Sequence, residues 1–161
     1  MTATVTKART IRVKMAGVDF GKSPDFLETL LGSCIGIAVW DRGGKQGGLA
    51  HIVLPRSRGT VSLPGKFADT AVLELKRRLV AQGAYPGRLT AKITGGATMF
   101  GPRNERDVGQ QNCQAVLAHL REHGIPVVAQ HIGGNKGRIV RFSLADGSVE
   151  VSIAREVVAV L

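Results

Sequence analysis

Two apolar, strand-like runs joined by a glycine-rich reversal constrain this chain more than any other feature. Residues 35–40 are apolar and rich in β-branched side chains, and residues 49–54 are similar. Between them, Asp41-Arg42-Gly43-Gly44-Lys45-Gln46-Gly47-Gly48 supplies the positive-φ positions that a hairpin needs. Each run brings one chemically distinctive side chain: Cys34 just precedes the first and His51 lies within the second. With a two-residue loop at Arg42-Gly43, Asp41 faces Gly44 and Cys34 lies opposite His51. A four-residue loop moves the pairing by two residues and keeps both side chains on one face. An odd-length loop puts them on opposite faces, because strand side chains alternate with period two.

The two residue types suit one another chemically. A free thiol has a pKa of about 8.5 and reacts as the thiolate, so a neighbouring imidazole that takes the proton activates it. The same imidazole can return that proton to a leaving amine. Backbone N–H groups near Gly32-Ser33-Cys34 are natural donors for an oxyanion. The plainer alternative makes Cys34 a small core residue and His51 a satisfied buried histidine.

A chain of 161 residues can bury one good core. No apolar run approaches the ~20 residues that span a bilayer, and Met1-Thr2-Ala3-Thr4-Val5-Thr6-Lys7 lacks the plan of a secretory signal. Two cysteines make no disulfide framework at this size, so a reducing cytoplasm is the expected compartment. The formal net charge of +10 raises the question of a nucleic-acid partner. Against it, the basic residues are scattered, no helix-turn-helix, zinc-ligand or RNP-type pattern occurs, and one Trp and one Tyr offer little stacking surface. Neither nucleic acid nor membrane insertion is expected. Steering toward an acidic protein surface is the better use of the charge.

Along the chain, residues 1–11 read as a flexible basic lead-in and 12–161 as a single domain. Residues 11–20 alternate as a first strand, broken by Gly21-Lys22-Ser23-Pro24. Residues 26–40 and 48–54 form the hairpin region, and 55–63 a polar loop in which Arg56 and Arg58 are candidate substrate contacts. Residues 64–82 read as one helix, with Phe67, Ala71, Val72, Leu75 and Leu79 at helical spacing. Residues 89–94 form a strand entering Gly95-Gly96, which lacks phosphate-loop spacing and reads as a tight turn allowing close backbone approach. Residues 108–123 form a second helix whose apolar face holds Cys113, Val116, Leu117 and Leu120, so Cys113 is expected in the core. His119 and His123 stand four apart on that helix without a further ligand at useful spacing, and no metal is expected. Strands follow at 125–131, 139–144 and 148–154, the last two a hairpin about Asp146-Gly147. Strand pairs around two main helices indicate an α+β domain.

At these residues the sequence resembles the chemoreceptor glutamine deamidase family, CheD. Thr29-Leu30-Leu31-Gly32-Ser33-Cys34 resembles its nucleophile segment, and Gly48-Leu49-Ala50-His51 with Leu54-Pro55 its histidine segment. Lys66-Phe67-Ala68-Asp69 resembles the start of its first long helix. Lys92-Ile93-Thr94-Gly95-Gly96-Ala97-Thr98-Met99-Phe100 matches its Gly-Gly-Ala-x-Met-Phe signature. Asp107-Val108-Gly109-Gln110-Gln111-Asn112 and Gly133-Gly134-Asn135-Lys136-Gly137-Arg138 match two later motifs, in order. The resemblance implies a layered α/β/β fold with mixed, largely antiparallel sheets, and a cofactor-free cysteine amidohydrolase. It implies Cys34, His51 and Thr29 as the catalytic trio, chemoreceptor cytoplasmic domains as substrate and a CheC-type phosphatase as partner. His131 departs from the pattern, standing where the family has an acidic residue. The rival reading is a non-catalytic module that binds receptors or the phosphatase.

Overall fold

The computed structural model describes residues 6–101, 104 and 106–161. Residues 1–5 of the expected lead-in lie outside the described residues. Among those described, ten strands form two five-stranded sheets. The first sheet has the order β1 (Thr10–Arg12), β3 (Phe26–Leu31), β8 (Arg138–Ser143), β9 (Val149–Ile153) and β10 (Glu156–Val160). The second has the order β2 (Val18–Lys22), β5 (Gln46–Ile52), β4 (Ile35–Asp41), β6 (Leu89–Gly95) and β7 (Val127–Ile132). The pairs β1–β3 and β6–β7 are parallel, and the other neighbours run antiparallel.

Two helices, α1 (Ala68–Ala81) and α2 (Val108–Glu122), cover one face of the second sheet. The Asp107 side chain caps α2 by accepting from the Gly109 N–H at 3.1 Å. Leu75, Leu79, Val116 and Leu120 from the helices pack with Ile35, Ile37, Val39, Ala50 and Ile52 of the sheet. A separate cluster, including Leu27, Leu31, Ala38, Leu49, Val140, Phe142 and Val151, fills the space between the sheets. The layers are therefore helices, second sheet, first sheet: the expected α/β/β order. Alternate residues of β4 enter the two clusters, which is why a strand buried on both faces reads as an unbroken apolar run.

The hairpin takes the four-residue loop. Asp41 pairs with Gln46 and Gly36 with His51, and Lys45 supplies a positive φ of 45° in the loop. Cys34 and His51 thus keep the same parity, and both face the inter-sheet space.

Three expectations need correction. Residues 11–20 are not one strand: β1 belongs to the first sheet, and β2 to the second. The chain crosses between them at Ala16-Gly17, where Ala16 adopts a φ of 65° and Gly17 N–H bonds the Lys14 carbonyl at 2.8 Å. Residues 64–82 are not one helix either. Residues Pro64–Lys66 form a single 3₁₀ turn, Phe67 is extended and bridges Leu54, and α1 starts after it. Helical periodicity at Phe67 yields to that tertiary pairing, in which Leu54 N–H reaches Lys66 O at 3.0 Å and Ala68 N–H reaches Leu54 O at 3.0 Å. Strand β10 was not anticipated. Ala154 and Arg155, at φ 51° and 67°, make the reversal that folds it back on β9 without a glycine to announce it.

Candidate active site

Gly32-Ser33-Cys34 connects the last residue of β3 to the first of β4, so this short loop crosses from one sheet to the other. All three of its carbonyls are held. Ala97 N–H donates to Gly32 O at 3.0 Å, the Asn112 side-chain amide to Ser33 O at 3.3 Å, and Gly96 N–H to Cys34 O at 2.8 Å. The Gly95-Gly96 turn makes this possible. Both residues have positive φ, 106° and 68°, and a Cβ at Gly95 would overlap the Cys34 carbonyl oxygen. The close backbone approach expected of this glycine pair is thus made against the Cys34 loop.

His51 lies near the end of β5, clamped through its backbone by the crossing between β1 and β2. Ala16 N–H donates to His51 O at 3.1 Å, and His51 N–H donates to Gly17 O at 3.0 Å. Its ring meets Thr29 of β3 across the inter-sheet space, with Oγ1 2.8 Å from Nδ1. The Thr29 hydroxyl also donates to the Val13 carbonyl at 2.9 Å. A hydroxyl has one proton, so with that proton on Val13 O it must accept from Nδ1–H. The network therefore selects the Nδ1–H tautomer and leaves the lone pair on Nε2. Nε2 is buried and has no hydrogen-bond partner among the described residues, the Cys34 thiol included.

Thr29, Cys34 and His51 are 6%, 8% and 4% exposed. Burial pushes the Cys34 thiol above its ordinary pKa and the His51 imidazole below its own, because each charged form loses solvation. The resting pair is a neutral thiol and a neutral imidazole. Such an arrangement suits general-base attack, in which the proton leaves sulfur as the new bond forms, better than a standing thiolate–imidazolium pair.

The other candidates are dispersed. Cys113 is buried in the helix-side cluster, so the two cysteines, which share no disulfide, occupy different cores. Arg56 lines a cleft of about 900 Å³ with Asp69 from the first turn of α1 and Gln111 and His119 from α2. His119 meets Glu122 at 3.3 Å, and among the described residues no three His, Cys, Asp or Glu side chains converge as a metal-holding group. No helix of the described residues is long and apolar enough to cross a membrane.

His131 turns out to be a partner of Arg138, a residue only 2% exposed. Arg138 Nη1 lies 2.9 Å from His131 Nδ1 and 2.9 Å from the His131 carbonyl, while Nη2 donates to the Gly133 carbonyl. Arginine can only donate, so His131 Nδ1 must carry a lone pair. A neutral ring thus stands as acceptor where the family resemblance leads one to expect a carboxylate. Burial, reinforced by the Arg138 charge, holds the His131 pKa below its ordinary value. In the same turn, Gly133 N–H donates to Gly95 O at 2.9 Å and Gly134 O accepts from Thr98 N–H at 2.9 Å. The buried cation is therefore connected, through backbone, to the loop that holds Cys34.

Sequence reasoning missed Val13 and Asn112 as parts of this site. Val13 acts through its carbonyl, which no side-chain pattern advertises. Asn112 carries a detectable signal, a polar residue on the buried side of an amphipathic helix.

Comparison with known proteins places the chain as a whole. Residues 53–153 match the sequence model of the family described as CheD chemotactic sensory transduction. The match begins just beyond His51, so the segment holding Thr29, Cys34 and His51 enters through longer alignments. A protein of Methanococcus vannielii described as a probable chemoreceptor glutamine deamidase CheD is 51% identical over 149 residues, spanning 91% of this chain and 97% of that one. Proteins with the same description from Methanococcus maripaludis strain C5 and Clostridium novyi are 47% and 46% identical, each spanning 88% of this chain. With relatives this similar along nearly their whole length, the chain belongs to the CheD family.

Proposed function

We propose that this protein hydrolyses selected glutamine side chains of chemoreceptor cytoplasmic domains to glutamate, with Cys34 as nucleophile, His51 as proton carrier and Thr29 as the residue that orients it. One observation carries the reading. The Thr29 hydroxyl, committed to the Val13 carbonyl, fixes the His51 tautomer so that a buried, unpartnered Nε2 lone pair shares the inter-sheet space with Cys34. The description of the family relatives as probable chemoreceptor glutamine deamidases supports the substrate class.

In this mechanism the Cys34 sulfur adds to the glutamine amide carbon while its proton passes to His51 Nε2. The amide oxygen becomes an oxyanion, for which the backbone N–H groups of the Gly32-Ser33-Cys34 loop are the candidate donors; bonds accepted by all three carbonyls hold that loop in place. Collapse breaks the C–N bond, and ammonia departs with the proton from Nε2. Water then attacks the thioester, giving its proton to Nε2, and glutamate leaves as the thiol is restored. No step calls for a cofactor. A CheC-type phosphatase is the proposed protein partner, and direct titration of the two purified proteins tests it.

Incubating the protein with a receptor cytoplasmic fragment should release ammonia and give the small mass gain of amide-to-acid conversion at particular glutamines. Cys34→Ala should abolish both. Conversion undiminished in that variant would remove Cys34 from the mechanism, and binding without any conversion by the unaltered protein would favour the non-catalytic module.

A further inference from the structure

The hairpin ladder between β4 and β5 ends at the pair Ile35–Ile52. Cys34 lies just outside that last pair and His51 just inside it, where the two chains begin to diverge. Beyond it Ser33 turns back toward the first sheet, while Val53 leaves to bond the Lys66 carbonyl through its N–H at 2.9 Å. At this point the Asn112 amide inserts from α2. Its Nδ2 donates to Ser33 O at 3.3 Å and to Val53 O at 3.0 Å. Two carbonyl acceptors also settle which way the amide faces, since a carbonyl oxygen in that place would be repelled by both.

Asn112 is a poor choice for stability alone. It is completely buried, and its Oδ1 has no hydrogen-bond partner among the described residues. It sits in a helix interior, for which asparagine has low propensity, beside the apolar positions Cys113 and Val116. A buried orphan acceptor costs stability. Residues that break local rules without local gain mark functional positions.

We propose that Asn112 is a positioning residue for the Cys34–His51 pair: one amide spans the nucleophile loop and the histidine strand, and sets the separation of thiol and imidazole where the ladder no longer does. The inference rests on the assignment of Cys34 and His51 given above. It concerns geometry and not substrate contact, because Asn112 has no exposed surface.

A double-mutant cycle tests it, read by the rate of Cys34 alkylation, with the modified peptide followed by mass spectrometry, and by kcat and KM for receptor-fragment deamidation. Asn112→Leu keeps the approximate side-chain volume and removes both donors. It should lower kcat by about a hundredfold, the size of effect expected from a small misplacement of reacting groups, with a smaller change in KM. Alkylation should slow in parallel. In a His51→Ala background the same substitution should slow alkylation by less than about threefold, since the geometry it disturbs no longer matters. Losses that multiply in the double variant, or a melting temperature that falls with kcat unchanged, would overturn the proposal. If Asn112→Leu does not fold, Asn112→Ser, which keeps one donor, enters the same cycle under the same criteria. Alkylation needs no receptor, so if the unaltered protein fails to deamidate receptor fragments, the substrate reading falls and the cycle still reports on Asn112.

Discussion

Thr29 Oγ1 lies 2.8 Å from His51 Nδ1 and gives its single proton to the Val13 carbonyl 2.9 Å away, so a threonine on one sheet dictates the tautomer of a histidine on the other. Thr29→Val, nearly the same shape without the hydroxyl, should lower kcat on the order of tenfold to a hundredfold by releasing the ring and its tautomer. It should also cost about 1–3 kcal/mol in stability, because the buried Val13 carbonyl loses its donor. Thr29→Ser keeps the hydroxyl and should recover most of the kcat. Steady-state kinetics with thermal melts decide this; equal activity in the valine and serine variants would leave Thr29 with no part in orienting the base.

The neutral resting pair makes a prediction about pH. With His51 in place, alkylation of Cys34 should begin once the imidazole is deprotonated. That limb lies below the ordinary histidine pKa of about 6.5, because burial depresses the His51 value. In His51→Ala the buried thiol must ionise without help, and burial holds it above the ordinary cysteine range, so the profile should move to alkaline pH. The profile of labelling rate against pH in the two proteins is the measurement. Superimposable profiles would make His51 a structural residue.

The two thiols should separate by role. Cys34→Ala should be inactive and folded. Cys113→Ala should remain active and lose on the order of 1–2 kcal/mol through a small cavity beside Gly96, whose added Cβ would lie 2.5 Å from the Cys113 sulfur. Denaturant titrations and receptor-fragment turnover of both variants check the assignment. A folded, inactive Cys113→Ala with an active Cys34→Ala would reverse it.

The site was half legible in the sequence, and the boundary has a physical origin. Hairpin parity depends on local turn residues and the two-residue period, so the shared face of Cys34 and His51 followed once the loop was known to be even. What places Thr29 opposite His51 is the stacking of two sheets, a contact across 22 positions that no local period encodes. The split at Ala16-Gly17 was invisible for the same reason: the strand breaks to change sheets and to clamp His51 by its backbone. Phe67 obeyed the helical spacing and was nevertheless drawn into a bridge with Leu54. Asn112 could have been flagged, since polarity on a buried helical face is unusual, though its two acceptors are carbonyls from segments 59 and 79 positions away.

The high net charge leads to a prediction about association. If +10 serves to draw the protein onto an acidic receptor surface, raising salt should slow capture of receptor fragments, since charges beyond ~8 Å are largely screened at physiological ionic strength. The chemistry within the buried site should respond less, so kcat at saturating substrate should hold while kcat/KM falls. Stopped-flow association across a salt series measures this. Receptor binding indifferent to salt, together with tight duplex DNA binding under the same conditions, would redirect the charge toward nucleic acid.

Arg138 and His131 give the last prediction, on stability against pH. His131 can accept from the Arg138 guanidinium only while its ring is neutral, and burial with the neighbouring cation depresses its folded pKa. His51 is depressed as well, by burial. A group whose folded pKa lies below its unfolded value contributes stability that is full above the unfolded value, about 6.5 for histidine, and is lost as pH falls through the folded one. Melting temperature should therefore drop between pH 7 and pH 5. His131→Asp replaces the neutral acceptor by a carboxylate beside the same guanidinium. The depressed histidine titration disappears, and the new group needs far lower pH to protonate, so part of the acid loss should move to lower pH. Arg138→Leu removes the donor to the His131 and Gly133 carbonyls and should cost on the order of 3 kcal/mol near neutral pH and less in acid, where the Arg138 charge opposes His131 protonation, with Cys34 alkylation slowed as the Gly133–Gly95 connection loosens. If His131→Asp and the unaltered protein lose stability over the same acid window, His51 and the carboxylates account for it, and the His131–Arg138 pair has no separate part.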